Sequence, residues 1–365
     1  MDPSLSPAMA AALAMAAPGT PLRDGLERIL HAERGALVVI GDGPAVLSIC
    51  TGGFLLDAEF SPQRLSELAK MDGAIIVSID ASRIARANVH LMPSANVPTT
   101  ETGTRHRTAQ RVARSIDVPV ISISAAMNLI TVYRHGESHV LQRVGRVMDR
   151  ATQGLQSLQR FRDRFDIALV ALTASEFEDS VTVRDVIAVL QPAEQLVRIA
   201  ADTAGRLIEL GDDGQLLRLQ LEELIEGVVD VRSLVIDDYL CGSNGTDGTS
   251  KNQERDRAVA AMARLDFEDL LDQRQVGTAI GLLPSEEDLD ASVEPRGFRL
   301  LHKLPRLSPV LLDRVADHFP TLQQIMRASV VDLEKVDGVG ESRAKSLKEG
   351  LARLVEASIL DRYNT

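Results

Sequence analysis

Two arginines flank a histidine in the stretch Gly103 to Ala109, which reads GTRHRTA. Behind it Ala109, Val112, Ala113 and Ile116 recur at helical spacing, so a loop entering a helix is expected, with Thr104 as N-cap. The start of a helix already offers unpaired amide N–H groups and the positive end of the dipole to an anion. Placing Arg105, His106 and Arg107 there opposes the dipole and does nothing for the helix. Either the cluster is merely solvated, or it holds something strongly negative, for which a polyphosphate fits. A second candidate is Asp72-Gly73-Ala74, a tight turn feeding the apolar run 74–77. A carboxylate at such a strand edge can hold a divalent cation or accept a proton. Together the two segments offer what phosphoryl transfer needs: charge neutralisation, a metal or base at the nucleophile, and arginine forks for phosphate oxygens.

Other nucleotide signatures are missing. There is no GK[ST], and Gly41-x-Gly43 lacks the third glycine of a dinucleotide fingerprint. His135 and His139 are spaced like metal ligands, but no Glu stands beside the first; they read as surface residues at a polar helix start.

A third pattern lies near the C-terminal end, where Leu333, Val336, Gly338-Val339-Gly340, Ala344 and Leu347 have helix-hairpin-helix spacing. Two glycines bring the backbone close to a phosphate, and the second helix presents amides with Arg343, Lys345 and Lys348 nearby. The contacts expected are to DNA backbone, independent of sequence and sensitive to salt. A plain helical hairpin with a glycine stop is the alternative.

The 365 residues leave room for two or three domains. Residues 1–20 read as a disordered Ala-rich leader with no basic n-region, hence no signal peptide. Residues 21–140 read as a mixed α/β domain: a helix over 21–33, strands at 36–42 and 45–50, and a short apolar element at 54–57. A helix from Ser61-Pro62, a strand after Gly73, a short apolar segment at 90–93, and a hairpin of 118–124 with 128–134 complete it. From residue 141 the pattern is helical: 141–177, then two helices within 181–211 with the second starting near Pro192, then 216–240 and 252–273. Gly154, Gly205 and Gly227 read as helix features, 241–250 as a surface loop and the acidic stretch 283–295 as a linker. Residues 141–300 thus form an all-helical spine, and 301–365 a compact tail. That tail holds ten Lys and Arg against nine Asp and Glu, a local +1 in a chain of net charge −12. Nucleic-acid affinity is therefore expected of the tail and not of the whole chain. Aromatics at 3% argue against base-stacking platforms. Cys50 and Cys241 form neither a disulfide framework nor a zinc site, which fits a reducing cytoplasm, and no stretch has the uniform apolarity of a membrane span.

DGA at 72–74 followed by GTRHRTA is, nearly letter for letter, the motif pair of diadenylate cyclases. With its domain order, the chain after the leader resembles DisA-type diadenylate cyclases over essentially its whole length. The resemblance implies an α/β nucleotide-cyclase (DAC) domain with a mixed sheet, an all-helical spine and a C-terminal helix-hairpin-helix domain. It implies conversion of two ATP into cyclic di-AMP and two pyrophosphates with Mg²⁺ or Mn²⁺, across a two-fold interface between subunits. Carried over by motif, Asp72 binds metal and helps activate the 3′-hydroxyl, and Gly73 and Ala74 lie against the nucleotide. Gly103, Thr104, Arg105, His106, Arg107 and Thr108 bind the phosphates, so that Asp72, Arg105, His106 and Arg107 form the catalytic set. Leu91 is implied in the adenine pocket. Ser124 is carried over too, but the acidic residue expected after it is Ala125. Further implications are an octamer, a cytoplasmic bacterial setting, a role in DNA damage and repair, and sensing of branched DNA through Gly338, Val339, Gly340, Arg343 and Lys345.

Two other classes stay open on the residues alone. One is a DNA-binding repair-accessory protein whose α/β domain only senses nucleotide; the intact Asp72 and RHR favour the enzyme over it. The other is an adenylyltransferase acting on a different acceptor, which a monomeric activity or a non-cyclic product would mark.

Overall fold

The computed structural model describes residues 5–240, 248–283, 288–304 and 307–364. The chain divides into two compact units, Met1–Leu155 with Ala201–Leu221, and Gln156–Ala200 with Glu222–Thr365. The sequence texture tracks secondary-structure type, whereas packing places parts of the helical stretch in the same unit as the sheet.

The first unit opens with helices α1 (Pro7–Met15) and α2 (Pro21–His31), capped by Ser6 and Thr20 and each with proline at the first turn. Strand β1 (Ala36–Ile40) follows, then α3 (Pro44–Ser48), β2 (Cys50–Thr51), β3 (Phe54–Glu59) and α4 (Pro62–Leu68). Next come β4 (Ala74–Val77), β5 (Arg83–Leu91), α5 (Thr104–Ser115), β6 (Val120–Ser124), β7 (Leu129–Arg134) and β8 (Glu137–Leu141). The sheet runs β2-β5-β4-β1-β6-β7-β8, with β3 also paired to β5. Only β1 and β4 are parallel neighbours, so the sheet is mixed. The central strands are buried on both faces, which is why they read as unbroken apolar runs. Val38, Ile40, Ile75 and Val77 pack with Leu22, Leu26, Ile29 and Leu65 of α2 and α4. Leu37, Val39 and Ile76, one residue out of phase, pack with Ala109, Val112 and Ala113 of α5.

Several expectations are corrected here. Residues 7–17 are not a disordered leader: Met9, Ala12, Leu13 and Ala16 join the core on the α2 face, the two alanines letting α1 lie close while Met9 and Leu13 fill the space. Residues 45–50 are mostly the helix α3, because Gly43 as N-cap and Pro44 at the first turn outweigh the apolar run. Of the 90–93 segment, His90 and Leu91 end the nine-residue β5, whose arginines and the left-handed Asn88 (φ 55°) disguise a strand. Residues 137–141 are the edge strand β8, not a helix start; His135 sits in the preceding turn, and His139 Nε2 meets Glu209 Oε1 at 2.6 Å.

The remaining helices are α6 (Val144–Glu178), α7 (Val183–Leu210), α8 (Gln215–Ile225), α9 (Val228–Tyr239), α10 (Gly248–Arg264) and α11 (Gln273–Ile280). Helix α7 runs through Pro192 instead of starting there; Leu190, Ala193 and Leu196 around it are fully buried, and that packing offsets the lost hydrogen bond. Gly227, at φ 71°, breaks the expected single helix of 216–240 into α8 and α9. Gly154 lets α6 cross α7 closely, since an added Cβ would lie 2.6 Å from Thr203 Oγ1. Of the expected loop at 241–250, residues 241–247 lie outside the described residues and 248–250 begin α10. Within the expected linker 283–295, Leu283 and Leu289 are buried and Ser292 bridges to Thr182, so those residues are packed.

The tail comprises α12 (Phe298–His302), α13 (Pro309–His318), α14 (Leu322–Arg327), α15 (Val330–Leu333) and α16 (Glu341–Asn364) around a core of its own. Asp238, near the end of α9, caps α12: its carboxylate accepts from the amides of Gly297, Phe298 and Arg299 at 2.7, 2.6 and 3.0 Å. The Arg299 side chain is only 1% exposed and pairs with Glu176 of α6, which also accepts from Tyr239 Oη at 2.8 Å.

Candidate active site

Strand register brings the two motifs together. Leu37 of β1 stands beside Ala74 of β4, Ala36 beside Ile123 of β6, and Ala74 beside Val89 of β5. The starts of parallel β1 and β4 and the ends of antiparallel β5 and β6 therefore form one sheet edge. At this edge lie Asp72, Gly73 and Ala74 before and at the start of β4, Ser124 at the end of β6, and Leu91 at the end of β5. Arg105, in the first turn of α5, reaches the same edge. Its Nη2 donates to Asp72 Oδ1 at 2.6 Å, and the guanidinium lies over Gly35, where an added Cβ would be 2.7 Å from Nη1. Gly35 was not singled out from sequence; a small residue facing an arginine across two elements leaves no local signal.

The Asp72 side chain is 93% exposed and only its Oδ1 is engaged. Among the described residues no group of three His, Cys, Asp or Glu forms a metal cage. A single accessible carboxylate still fits a magnesium-type ion, which keeps waters and takes its other ligands from substrate phosphates.

Around α5 the geometry differs from the simple reading. Gly103, at φ 81°, is the N-cap residue and Thr104 the first helical residue; only glycine takes that backbone angle freely, so the cap is made by conformation and not by a hydroxyl. Arg107 is exposed, and Thr108 Oγ1 donates to the Thr104 carbonyl at 2.9 Å. His106 turns the other way. It is buried, with Nδ1 2.8 Å from Tyr133 Oη and the two rings edge to face. The exposed set that the helix start presents is thus Thr104, Arg105 and Arg107. Gly73 has a reason of its own: a Cβ there would come within 2.5 Å of the Asn88 backbone in β5. Leu91 is half-buried against the α5-side core near Ile49 and Cys50. Ser124 Oγ accepts from the Met127 amide at 3.3 Å, forming the turn into β7.

The loop before α5 is strapped to it. The buried Gln110 accepts from Thr99 Oγ1 at 2.6 Å and the Thr100 amide at 2.9 Å. Arg111 Nε and Arg114 Nη1 donate to the carbonyls of Val97 and Pro98 at 3.0 and 2.5 Å. None of these straps leaves a local signal in the sequence.

The hairpin in the tail has the expected form. Gly338 adopts φ 87°, Val336 and Val339 are buried, and the Gly340 carbonyl accepts from the Ala344 amide at 3.0 Å. A Cβ added at Gly340 would meet nothing within 4 Å, so the fold itself does not require that glycine. Arg343 donates to the Gly338 carbonyl at 2.7 Å, and Lys345 pairs with Glu341 on the exposed side. Lys348 instead turns to the Met326 carbonyl. Beside the hairpin runs a groove lined by Ser308, Leu311, Arg314, Gly338 and Arg343.

The chain is similar to known proteins over most of its length. The family model for the DisA bacterial checkpoint controller nucleotide-binding (DAC) region matches residues 23–138, its linker-region model 141–289, and the SAM-like helix-hairpin-helix tandem 298–353. The DNA integrity scanning protein DisA of Streptomyces coelicolor is 49% identical over 97% of this chain and 94% of its own length. That of Frankia alni is 49% identical over 97% of each. DacA from Staphylococcus aureus, a solved structure, is 22% identical over 32% of this chain with a TM-score of 0.28. No described helix is long and apolar enough to cross a membrane. A mixed-sheet cyclase domain, a helical linker region and a helix-hairpin-helix tail in one chain, with curated relatives 49% identical over 97% of it, place it in the DisA family of diadenylate cyclases.

Proposed function

We propose that the chain condenses two ATP molecules into cyclic di-AMP and two pyrophosphates at the edge that carries Asp72 and the α5 start. The observation that carries this reading is the Asp72–Arg105 contact, because it joins the acidic and the basic motif at one exposed place. Each edge has one such motif pair, so two chains facing each other would supply two nucleotides. In each half-reaction the 3′-oxygen of one ATP forms a bond to the α-phosphorus of the other, and the bond to pyrophosphate breaks. The hydroxyl proton leaves to Asp72 or to solvent. Arg105, Arg107, Thr104 and Thr108 would hold the phosphates and the leaving pyrophosphate, with Gly103 setting their angle; Ala74, Leu91 and Ser124 would flank the nucleotide. A bound Mg²⁺ or Mn²⁺, held by Asp72, supplies charge neutralisation. We assign His106 a supporting place beneath this set.

In the tail, Gly338, Val339 and Gly340 with Arg343 and Lys345 would contact DNA phosphates, and branched DNA is the ligand we propose. A homo-octamer and a cytoplasmic setting in DNA repair complete the proposal, supported by the widely spaced cysteines and by the family. The test is incubation with ATP and Mg²⁺ or Mn²⁺, products resolved by chromatography and mass, beside Asp72→Asn. Cyclic di-AMP from the wild type with at least a hundredfold less from the variant is expected. ATP binding without a cyclic product would instead favour a nucleotide-sensing repair accessory, and a linear or foreign adenylylated product would mark a different acceptor.

A further inference from the structure

His106 sits in the middle of the basic motif yet faces inward, and its ring carries one partnered and one orphaned nitrogen. Nδ1 is 2.8 Å from Tyr133 Oη, and Nε2 is buried with no hydrogen-bond partner in the protein. One proton lies between Nδ1 and the phenol oxygen, and its owner decides the tautomer. The orphaned Nε2 decides it, and the Glu101 charge points the same way. Burial first, and then the Glu101 carboxylate, hold the Tyr133 phenol well above its ordinary pKa. A carboxylate on that side draws the phenol proton toward itself, which leaves the phenol oxygen to accept from Nδ1–H. Nε2 is then the bare acceptor. The opposite tautomer would bury an N–H with no acceptor, the rarer and costlier defect.

The backbone of Glu101 is tied to the same helix. Its own amide donates to Thr99 Oγ1 at 3.2 Å, and Thr99 is bonded in turn to the buried Gln110 of α5. The loop bearing Glu101 and the helix bearing His106 are therefore one strapped piece, and Tyr133 of β7 joins that piece to the sheet. We infer that Glu101 and Tyr133 are positioning residues for the cyclase reaction: they keep His106 protonated on Nδ1 and so pin the first turn of α5, on which Arg105 and Arg107 face the substrate. The inference rests on the proposed phosphate role of that turn. None of the three residues needs to touch substrate for it to hold.

The experiment has two independent readouts on the full chain, wild type beside Tyr133→Phe and Glu101→Gln. The first is the ¹⁵N tautomer signature of His106, assigned by its loss in His106→Gln. The second is the split of kcat against KM for ATP. The wild type is expected to show the Nδ1–H form, and both variants a population shifted toward Nε2–H. In both variants kcat should fall by about tenfold or more, since small misplacement of a positioned group is costly, while KM changes by less than about threefold and the melting temperature stays close to wild type. An Nε2–H wild type, an unshifted tautomer in both variants, or a shifted tautomer with intact kcat would overturn the inference. Glu101→Gln, in a loop, keeps the test decisive if Tyr133→Phe folds poorly. If the wild type makes no cyclic dinucleotide, the reaction reading fails on its own, and the tautomer readout still decides whether the Glu101–Tyr133–His106 arrangement exists.

Discussion

Gly338→Ala and Gly340→Ala, two residues apart in one hairpin, should separate stability from DNA affinity. Gly338 holds φ 87°, so an alanine there is forced into the left-handed region at a cost of about 1–2 kcal/mol. Its Cβ would stand 3.4 Å from Leu311 Cδ1, an ordinary contact, so the backbone angle carries the cost. Gly340 has open space around the missing Cβ and an ordinary φ. Two small effects oppose each other there. As the residue whose carbonyl accepts the first bond of α16, it loses about 0.5–1 kcal/mol of capping preference on becoming alanine. The stiffer unfolded chain returns about 0.4–1 kcal/mol. Stability should therefore move by less than about 0.5 kcal/mol. DNA affinity should behave otherwise, because a methyl group on the hairpin tip holds a phosphate off the backbone amides. Losing one amide bond to a charged oxygen is worth about 1.5–3 kcal/mol, or roughly tenfold to a hundredfold. Anisotropy titrations with forked and linear duplexes, beside thermal melts of both variants, measure the two quantities. The loss should be alike for different sequences, since backbone contacts carry none. Wild-type affinity in Gly340→Ala would remove the hairpin from the DNA surface, and a Gly340→Ala melt as low as that of Gly338→Ala would refute the steric reasoning.

Two further outcomes test the body of the protein. Asp238 is wholly buried, and desolvation followed by the neighbouring Glu176 charge raises its pKa to about 7, against the pull of Arg299 and the α12 amides. A carboxyl raised in the folded state keeps its proton where the unfolded chain has lost it, so its contribution to stability falls as pH rises from roughly 4 to 7. The unfolding free energy of wild type minus that of Asp238→Asn should shrink between pH 5 and pH 8, and a pH-independent difference would count against it; Glu176, Arg299 and Tyr239 are the charged and titratable groups around the site. Leu13→Ala should cost about 2–5 kcal/mol, as a fully buried leucine does, where a disordered leader predicts no change in the melt.

What could be read from sequence was what local pattern encodes. Chemistry-bearing residues at fixed spacing, DGA and GTRHRTA, and the glycines of the hairpin pointed to the two candidate regions, and the apolar runs of β1, β4, β6 and β7 marked the middle of the sheet. Elements whose cause lies elsewhere were hidden. β5 is charged and carries a left-handed asparagine, and only its neighbours on both sides make it a strand. α1 looks like low-complexity alanine until the sheet provides a surface for it. His106 cannot be told from its flanking arginines in a string of letters. Its inward turn follows from position on the helix face and from Tyr133, 27 residues away. Gly73 shows the converse: a glycine beside a motif carboxylate reads as room for a ligand, while the nearest atoms to its missing Cβ belong to the next strand.

The capping of α12 by Asp238 separates the path of the chain from the path of mechanical load. Along the polypeptide, α9 and α12 are far apart, with α10 and α11 between them. Through space they are joined by three amide bonds to one carboxylate, with the Arg299–Glu176 pair behind. Tension applied to the tail would therefore pass straight into α9 and α6, and the intervening helices would carry little of it. Such a junction yields by breaking a few short bonds together, not by gradual stretching of a tether, so the tail stays registered on the linker helices up to a threshold and then releases.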